Sequence, residues 1–195
     1  RDGKSSERDI AALKRLLATL SLRSDLAEAI ADWIDADSVP NPRGAEDADY
    51  LRLPAPYRAA NRPITALDDL LRVRGVDDAV LARLRPFVTA LPRRTPVNVN
   101  LAPPEVLAGV IEGLSLTEAQ VLASNRLAAP FRDRNEFRAR LPRPDLEARD
   151  DEISVDSQFF LVEGRAQVGK ADLRIRALLQ RNGAVLPVIV WQRLS

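Results

Sequence analysis

Phe159-Phe160-Leu161-Val162-Glu163-Gly164-Arg165-Ala166-Gln167-Val168, with Leu173 to Gln180 and the dipeptide Asn182-Gly183 behind it, decides the fold class. Phe160, Val162, Ala166 and Val168 alternate with Glu163, Arg165 and Gln167. Leu173, Ile175, Ala177 and Leu179 alternate with Arg174, Arg176 and Gln180. A period of two puts each set on one side of a strand. Asn182-Gly183 is a strong type I′ hairpin signal and leads into a third strand, Val185 to Trp191. Pro187 cannot donate to a ladder, so that strand is expected to lie at an edge or to carry a bulge. The expectation is a three-stranded antiparallel meander whose apolar face needs a covering layer.

Before Ile153 the period changes to that of helices. Ser6 with Asp9 gives a cap-like start for Ile10, Leu13, Leu16, Leu17 and Leu20, and Leu26, Ala29, Ile30, Trp33 and Ile34 form a second stripe. Thr65 is expected to cap a helix through Leu67, Leu70 and Leu71, and Asp77 one through Val80, Leu81, Leu84 and Val88. Pro103 and Pro104 suit the first turn of a helix through Leu107 and Ile111. Thr117 and Gln120 read as a capping box, and a short helix through Phe137 and Leu141 should end at Pro142. Asn61 to Phe87 and Asn100 to Asn125 repeat one another at an offset of roughly 38 residues, each as helix, glycine turn and capped helix. The chain therefore reads as α+β. Residues 1–152 form a large helical domain with duplicated helix-turn-helix units of the SAM or helix-hairpin-helix kind, and residues 153–195 form a small antiparallel sheet.

Composition removes several functions. Basic and acidic residues number 29 and 28, for a net charge of +1, where a dedicated nucleic-acid binder carries a basic surplus. Cysteine and histidine are both absent, which rules out disulfides, the usual zinc sites and Cys- or His-based catalysis. There is no Gly-rich phosphate loop and no Gly-x-Ser-x-Gly elbow, so an enzyme is not expected. The absence of an initiator methionine at Arg1 reads as a processed or trimmed start, and no apolar run reaches membrane-spanning length.

The densest chemistry lies in Asp32-Trp33-Ile34-Asp35-Ala36-Asp37 and the loop after it. Asp32, Asp35, Asp37, Glu46, Asp47 and Asp49 share the interval to Asp49 with one basic residue, Arg43. Crowded carboxylates repel unless water, arginine or a hard cation neutralises them. With Asp35 as position 1 of a calcium loop, Asp37 falls at 3, the Asn41 carbonyl at 7 and Glu46 at 12. Val39 at 5 and Pro40 at 6 depart from an EF-hand, so the expected calcium site is a loop closed by folding Glu46, Asp47 or Asp49 onto Asp35 and Asp37. A solvated loop neutralised by Arg43 and Arg58 is the alternative. Trp33 is expected to plug the core beneath this loop, Tyr57, Arg58 and Asn61 to tie its return to the helices, and at least one ring of Phe159-Phe160 to lie in the core.

The Asp-Trp-Ile-Asp-x-Asp run, Gly44-Ala45-Glu46-Asp47, Tyr50 and Pro56-Tyr57-Arg58-Ala59-Ala60-Asn61 together resemble the K-type minor pseudopilins of bacterial type II secretion. Asn98-Val99-Asn100-Leu101-Ala102 and Ser157-Gln158-Phe159-Phe160 agree with the same pattern. The resemblance implies a non-enzymatic subunit on the periplasmic face of the inner membrane of a Gram-negative bacterium. It would cap the pseudopilus tip by binding I- and J-type minor pseudopilins, with its helical insertion blocking further stacking. It also implies a membrane contact made through an N-terminal helix, expected to lie upstream of Arg1 together with an early strand region, and to cover the sheet.

One rival remains. The repeated units also resemble helix-hairpin-helix modules, which hold a nucleic-acid phosphate on the amides of a Gly-x-Gly turn at a helix N-terminus. Here Arg74-Gly75-Val76-Asp77-Asp78 and Glu112-Gly113-Leu114-Ser115 both lack the second glycine, and Asp77, Asp78 and Glu112 set negative charge where phosphate would sit. Duplication without nucleic-acid binding is the expectation.

Overall fold

The computed structural model describes residues 6–169, 171–183 and 185–194, and its elements are α+β as expected. Arg1, read as a processed start, and the side chain of Val168 lie outside the described part. Helix α1 (Glu7–Thr19) begins after Ser6, whose side chain makes no cap bond. Helix α2 (Leu26–Ile34) is buried along almost its whole length. A four-residue helix, α3 (Asp47–Tyr50), interrupts the acidic loop where the sequence has no period long enough to announce it.

The predicted helix after Thr65 is a 3-10 turn, Leu67–Arg72, and its opening amides are met differently from the expectation. The Asp69 carboxylate accepts from the backbone N–H groups of Thr65 and Ala66, both at 3.1 Å. Helix α4 (Asp78–Leu84) is capped as expected, with Asp77 Oδ1 accepting from Val80 N at 2.8 Å. Strand β1 (Val97–Asn98) precedes α5 (Pro104–Val110), with Pro104 in its first turn. Helix α6 (Leu116–Ala128) is capped by Ser115 and Glu118, not by Thr117 and Gln120. Ser115 Oγ accepts from Glu118 N at 3.3 Å, while Glu118 Oε2 accepts from Ser115 N at 2.9 Å. The same S-x-x-E spacing lies two residues before the expected box, so the helix starts a half-turn earlier. Helix α7 (Arg134–Ala139) stops short of Leu141.

Gly75 and Gly113, at the two repeat turns, have φ of +84° and +79°, a region that L side chains enter only with strain. After each glycine the chain enters a capped helix, and each unit fills its own core. Leu70, Val73, Val76, Leu81 and Leu84 pack with α1, α2 and Tyr50. Leu107, Ile111, Leu114, Ala119 and Leu122 pack with Phe131, Phe137 and Ile153. Helix α1 joins the two units: Arg15 donates to the carbonyls of Gly109 (2.8 Å) and Val110 (3.3 Å), and a Cβ on Gly109 would lie 3.1 Å from Leu16 Cβ.

Strand β2 (Ile153–Ser154) pairs in parallel with β1, so Ile153, fully buried, belongs to the helical body. The meander follows as β3 (Phe159–Val168), β4 (Ala171–Asn182) and β5 (Val185–Leu194), antiparallel in that order. Strand β5 is an edge, with register irregularities at Leu178/Leu179 and at Gln180/Asn182, the latter opposite Pro187. Neither Phe159 nor Phe160 reaches the core. Phe159 is half-buried under Arg93, beside the groove it lines with Leu161 and Leu178, and Phe160, on the other side of the strand, is exposed under Arg181.

Candidate functional site

Helix α2 sends its buried face into the core through Trp33, whose ring meets Tyr50 edge-on at 5.1 Å, while Tyr50 stacks on Tyr57 at 5.4 Å. This aromatic layer lies beneath the acidic loop, as the placement of Trp33 predicts. Asp32 occupies the last turn of α2 and Asp35 is its C-cap, at the negative end of a helix whose last turn carries no basic residue. One carboxylate oxygen from each of Asp35, Asp37 and Glu46 lies within 4.8 Å of the others. Asp35 and Glu46 are buried, at 7% and 4% exposure. Both oxygens of Glu46 are buried and meet no hydrogen-bond donor among the described residues. Burial, reinforced by the charges of Asp32, Asp35, Asp37 and Asp47, pushes the Glu46 carboxyl up to about 7.

Of the six candidate ligands, Asp35, Asp37 and Glu46 therefore converge, and three do other work. Asp47 Oδ1 accepts from Ala59 N at 2.9 Å and Asp47 Oδ2 pairs with Arg58 at 3.2 Å. Asp49 pairs with Arg74 at 2.9 Å and its other oxygen accepts from Glu46 N at 3.2 Å. The Asn41 carbonyl accepts from Gly44 N at 2.9 Å, closing a turn. Arg58 ties the loop as expected. Arg74, which also donates to the carbonyls of Arg43 and Gly44, has no local signal in the sequence, because it lies 25 residues beyond its partner Asp49. Asn61, in the left-handed region at φ 44°, donates from Nδ2 to the Asp37 carbonyl at 2.9 Å, and Tyr57 donates to the Arg72 carbonyl at 2.9 Å. These bonds hold the loop's return where the sequence placed it. An all-oxygen set of three carboxylates, one of them buried without a donor, fits a hard divalent cation.

The second candidate is a surface. Residues paired across a ladder share a face, so Phe160, Val162, Leu173, Ile175, Ile189 and Leu194 form a largely apolar side of the meander, which also carries Gln192 opposite Ala177. Their exposures run from 37% for Ile175 to 64% for Leu194. The opposite side carries a charge ladder, Arg176–Glu163 and Arg165–Asp172, both at 2.8 Å. Toward the helical body it meets a groove of about 560 Å³ lined by Thr89, Leu91, Pro96, Val97, Phe159, Leu161 and Leu178 among others.

The repeat turns offer phosphate little. Asp77 already accepts from Val80 N in the first turn of α4, and Ser115 from Glu118 N in that of α6, with Glu118 accepting from Ser115 N. Among the described residues no helix is long and apolar enough to cross a membrane.

Two family models described as type II secretion system (T2SS), protein K, match residues 1–93 and 97–156. The chain is 31% identical over 188 residues to type II secretion system protein K of Pectobacterium carotovorum, covering 91% of this chain and 57% of that protein. The Pseudomonas aeruginosa protein of the same name is 33% identical over 174 residues, covering 87% and 52%. The chain thus spans about half the length of these relatives. A chain in the crystal structure of the GspK-GspI-GspJ complex from the enterotoxigenic Escherichia coli type 2 secretion system superposes with a TM-score of 0.84 at 24% identity, covering 100% of this chain and 73% of that one. That likeness shares the fold.

Proposed function

The chain belongs to the type II secretion system protein K family, and on that premise we propose that it is a structural minor pseudopilin, not an enzyme. It assembles with I- and J-type minor pseudopilins at the pseudopilus tip, on the periplasmic face of the inner membrane of a Gram-negative bacterium. The observation that carries this reading is the open apolar side of β3–β5, beside a helical body that buries most of its apolar residues in two cores and leaves scattered ones such as Leu101 and Leu127 exposed. An exposed, contiguous apolar face marks an assembly surface. The solved relative, a complex of GspK with GspI and GspJ, supports partners of that kind. The acidic pocket is a calcium site in the same reading: Asp35, Asp37 and Glu46 hold the ion, which supplies the positive charge that lets Glu46 ionise in its buried position. The arginine pairs of Asp47 and Asp49 brace the loop around it.

Co-expression with the I- and J-type pseudopilins of the same genome tests the assembly. A ternary complex on size exclusion is expected, together with no binding to duplex DNA at physiological salt. Failure to associate, or DNA binding lost on Gly113→Asp, would overturn the reading. The calcium site predicts a higher melting temperature in millimolar calcium than in chelator.

A further inference from the structure

Asp32 belongs to the acidic run, yet its carboxylate does not join the cluster of Asp35, Asp37 and Glu46. It is fully buried and turned toward the loop's middle. Asn41 N donates to both of its oxygens at 3.2 Å, and Asn41 Nδ2 donates to Oδ1 at 2.5 Å. Gly44, joined to the Asn41 carbonyl by its own N–H, passes so close that a Cβ there would overlap the Asp32 carboxylate. The loop between Asp37 and Glu46 is therefore wrapped around a fixed carboxylate, bonded to it at Asn41 and seated on it at Gly44.

We infer that Asp32, Asn41 and Gly44 form a clamp that positions the cation site without supplying a ligand to it. Resting on the reading of the pocket as a calcium site, this separates two roles within one acidic stretch. Asp35 and Asp37 lie just before the wrapped segment and Glu46 just after it, so the clamp fixes the distance between the two halves of the ligand set. A charge that is buried but already hydrogen-bonded is spent on the loop. The orphaned oxygens of Glu46 are left for the cation.

Isothermal titration with calcium on the purified chain, at neutral pH, tests it alongside melting curves in chelator. Wild type is expected to bind calcium. Asn41→Ala, which changes no charge and leaves the backbone carbonyl in place, should bind at least tenfold more weakly while remaining folded in chelator. Gly44→Ala should do the same, and should cost little further affinity in an Asp32→Ala background, since both changes act through one contact. Should Gly44→Ala fail to fold, Asn41→Ala still decides. Wild-type affinity in Asn41→Ala, with binding abolished by Asp32→Asn, would make Asp32 a ligand and overturn the clamp. Absence of binding by the wild type would remove the cation site itself, and the clamp's role with it.

Discussion

The helical body and the sheet solve the same problem in opposite ways. In the body, Leu17, Tyr50, Ile111 and Phe137 are fully buried, and its two cores are joined through α1 and α5. In the sheet, Val162, Leu173 and Ile189 are 45%, 48% and 57% exposed although each lies on a strand paired into the meander. Strand pairing, with Leu178 as a buried contact and ion pairs on one side, holds the meander, whereas burial holds the body. A region held by burial resists change at its centre. A region held by pairing tolerates substitution on its open face until something docks there.

The largest expected contrast follows from that difference. Phe137→Ala should destabilise the protein by about 3–5 kcal/mol in chemical unfolding. Val162→Ala on the open face should stay within about 0.5 kcal/mol. Equal losses at the two positions would erase the distinction.

Next in size is the acidic pocket. The folded state raises Glu46 from 4.5 to about 7, so it binds that proton more tightly than the unfolded chain does. The associated stability is complete below about 4.5 and is lost as pH rises toward about 7, on the order of 3 kcal/mol across that window. In chelator, melting should therefore be higher near pH 5 than near pH 8, and Glu46→Gln should flatten the slope. Calcium should stabilise more at pH 8 than at pH 5, since a proton and the cation compete for one carboxylate.

Smaller effects probe the repeat. Gly113→Ala places a side chain at positive φ and should cost about 1–2 kcal/mol. Ser115→Ala removes a cap bond and should cost about 1 kcal/mol, whereas Ser6→Ala, which removes none, should be nearly silent. Urea unfolding resolves each of these.

What the sequence showed and what it hid divide along similar lines. The meander was readable because a period of two and Asn182-Gly183 are local signals. The capped repeats were readable because Asp77, Gly75 and Gly113 act within a turn of themselves. Helix α3 and the β1–β2 pair were not, since four residues and two residues carry no period. The cap of α6 is Ser115-Glu118 where Thr117-Gln120 was expected, because two spacings of the same kind lie two residues apart in the sequence. In the pocket, the sequence could gather six oxygen donors but could not sort them. Asp47 is claimed by Ala59 and Asp49 by Arg74, contacts set by the tertiary fold.

Hydrogen exchange, followed segment by segment for the chain alone and in the presence of the I- and J-type pseudopilins, tests the central contrast most directly. Residues 97–158 and the α1–α4 region should keep the same slow exchange in both states, while β3–β5 exchange faster alone and gain protection with the partners. A sheet already as protected as the helical body, and unchanged when the partners are added, would contradict it.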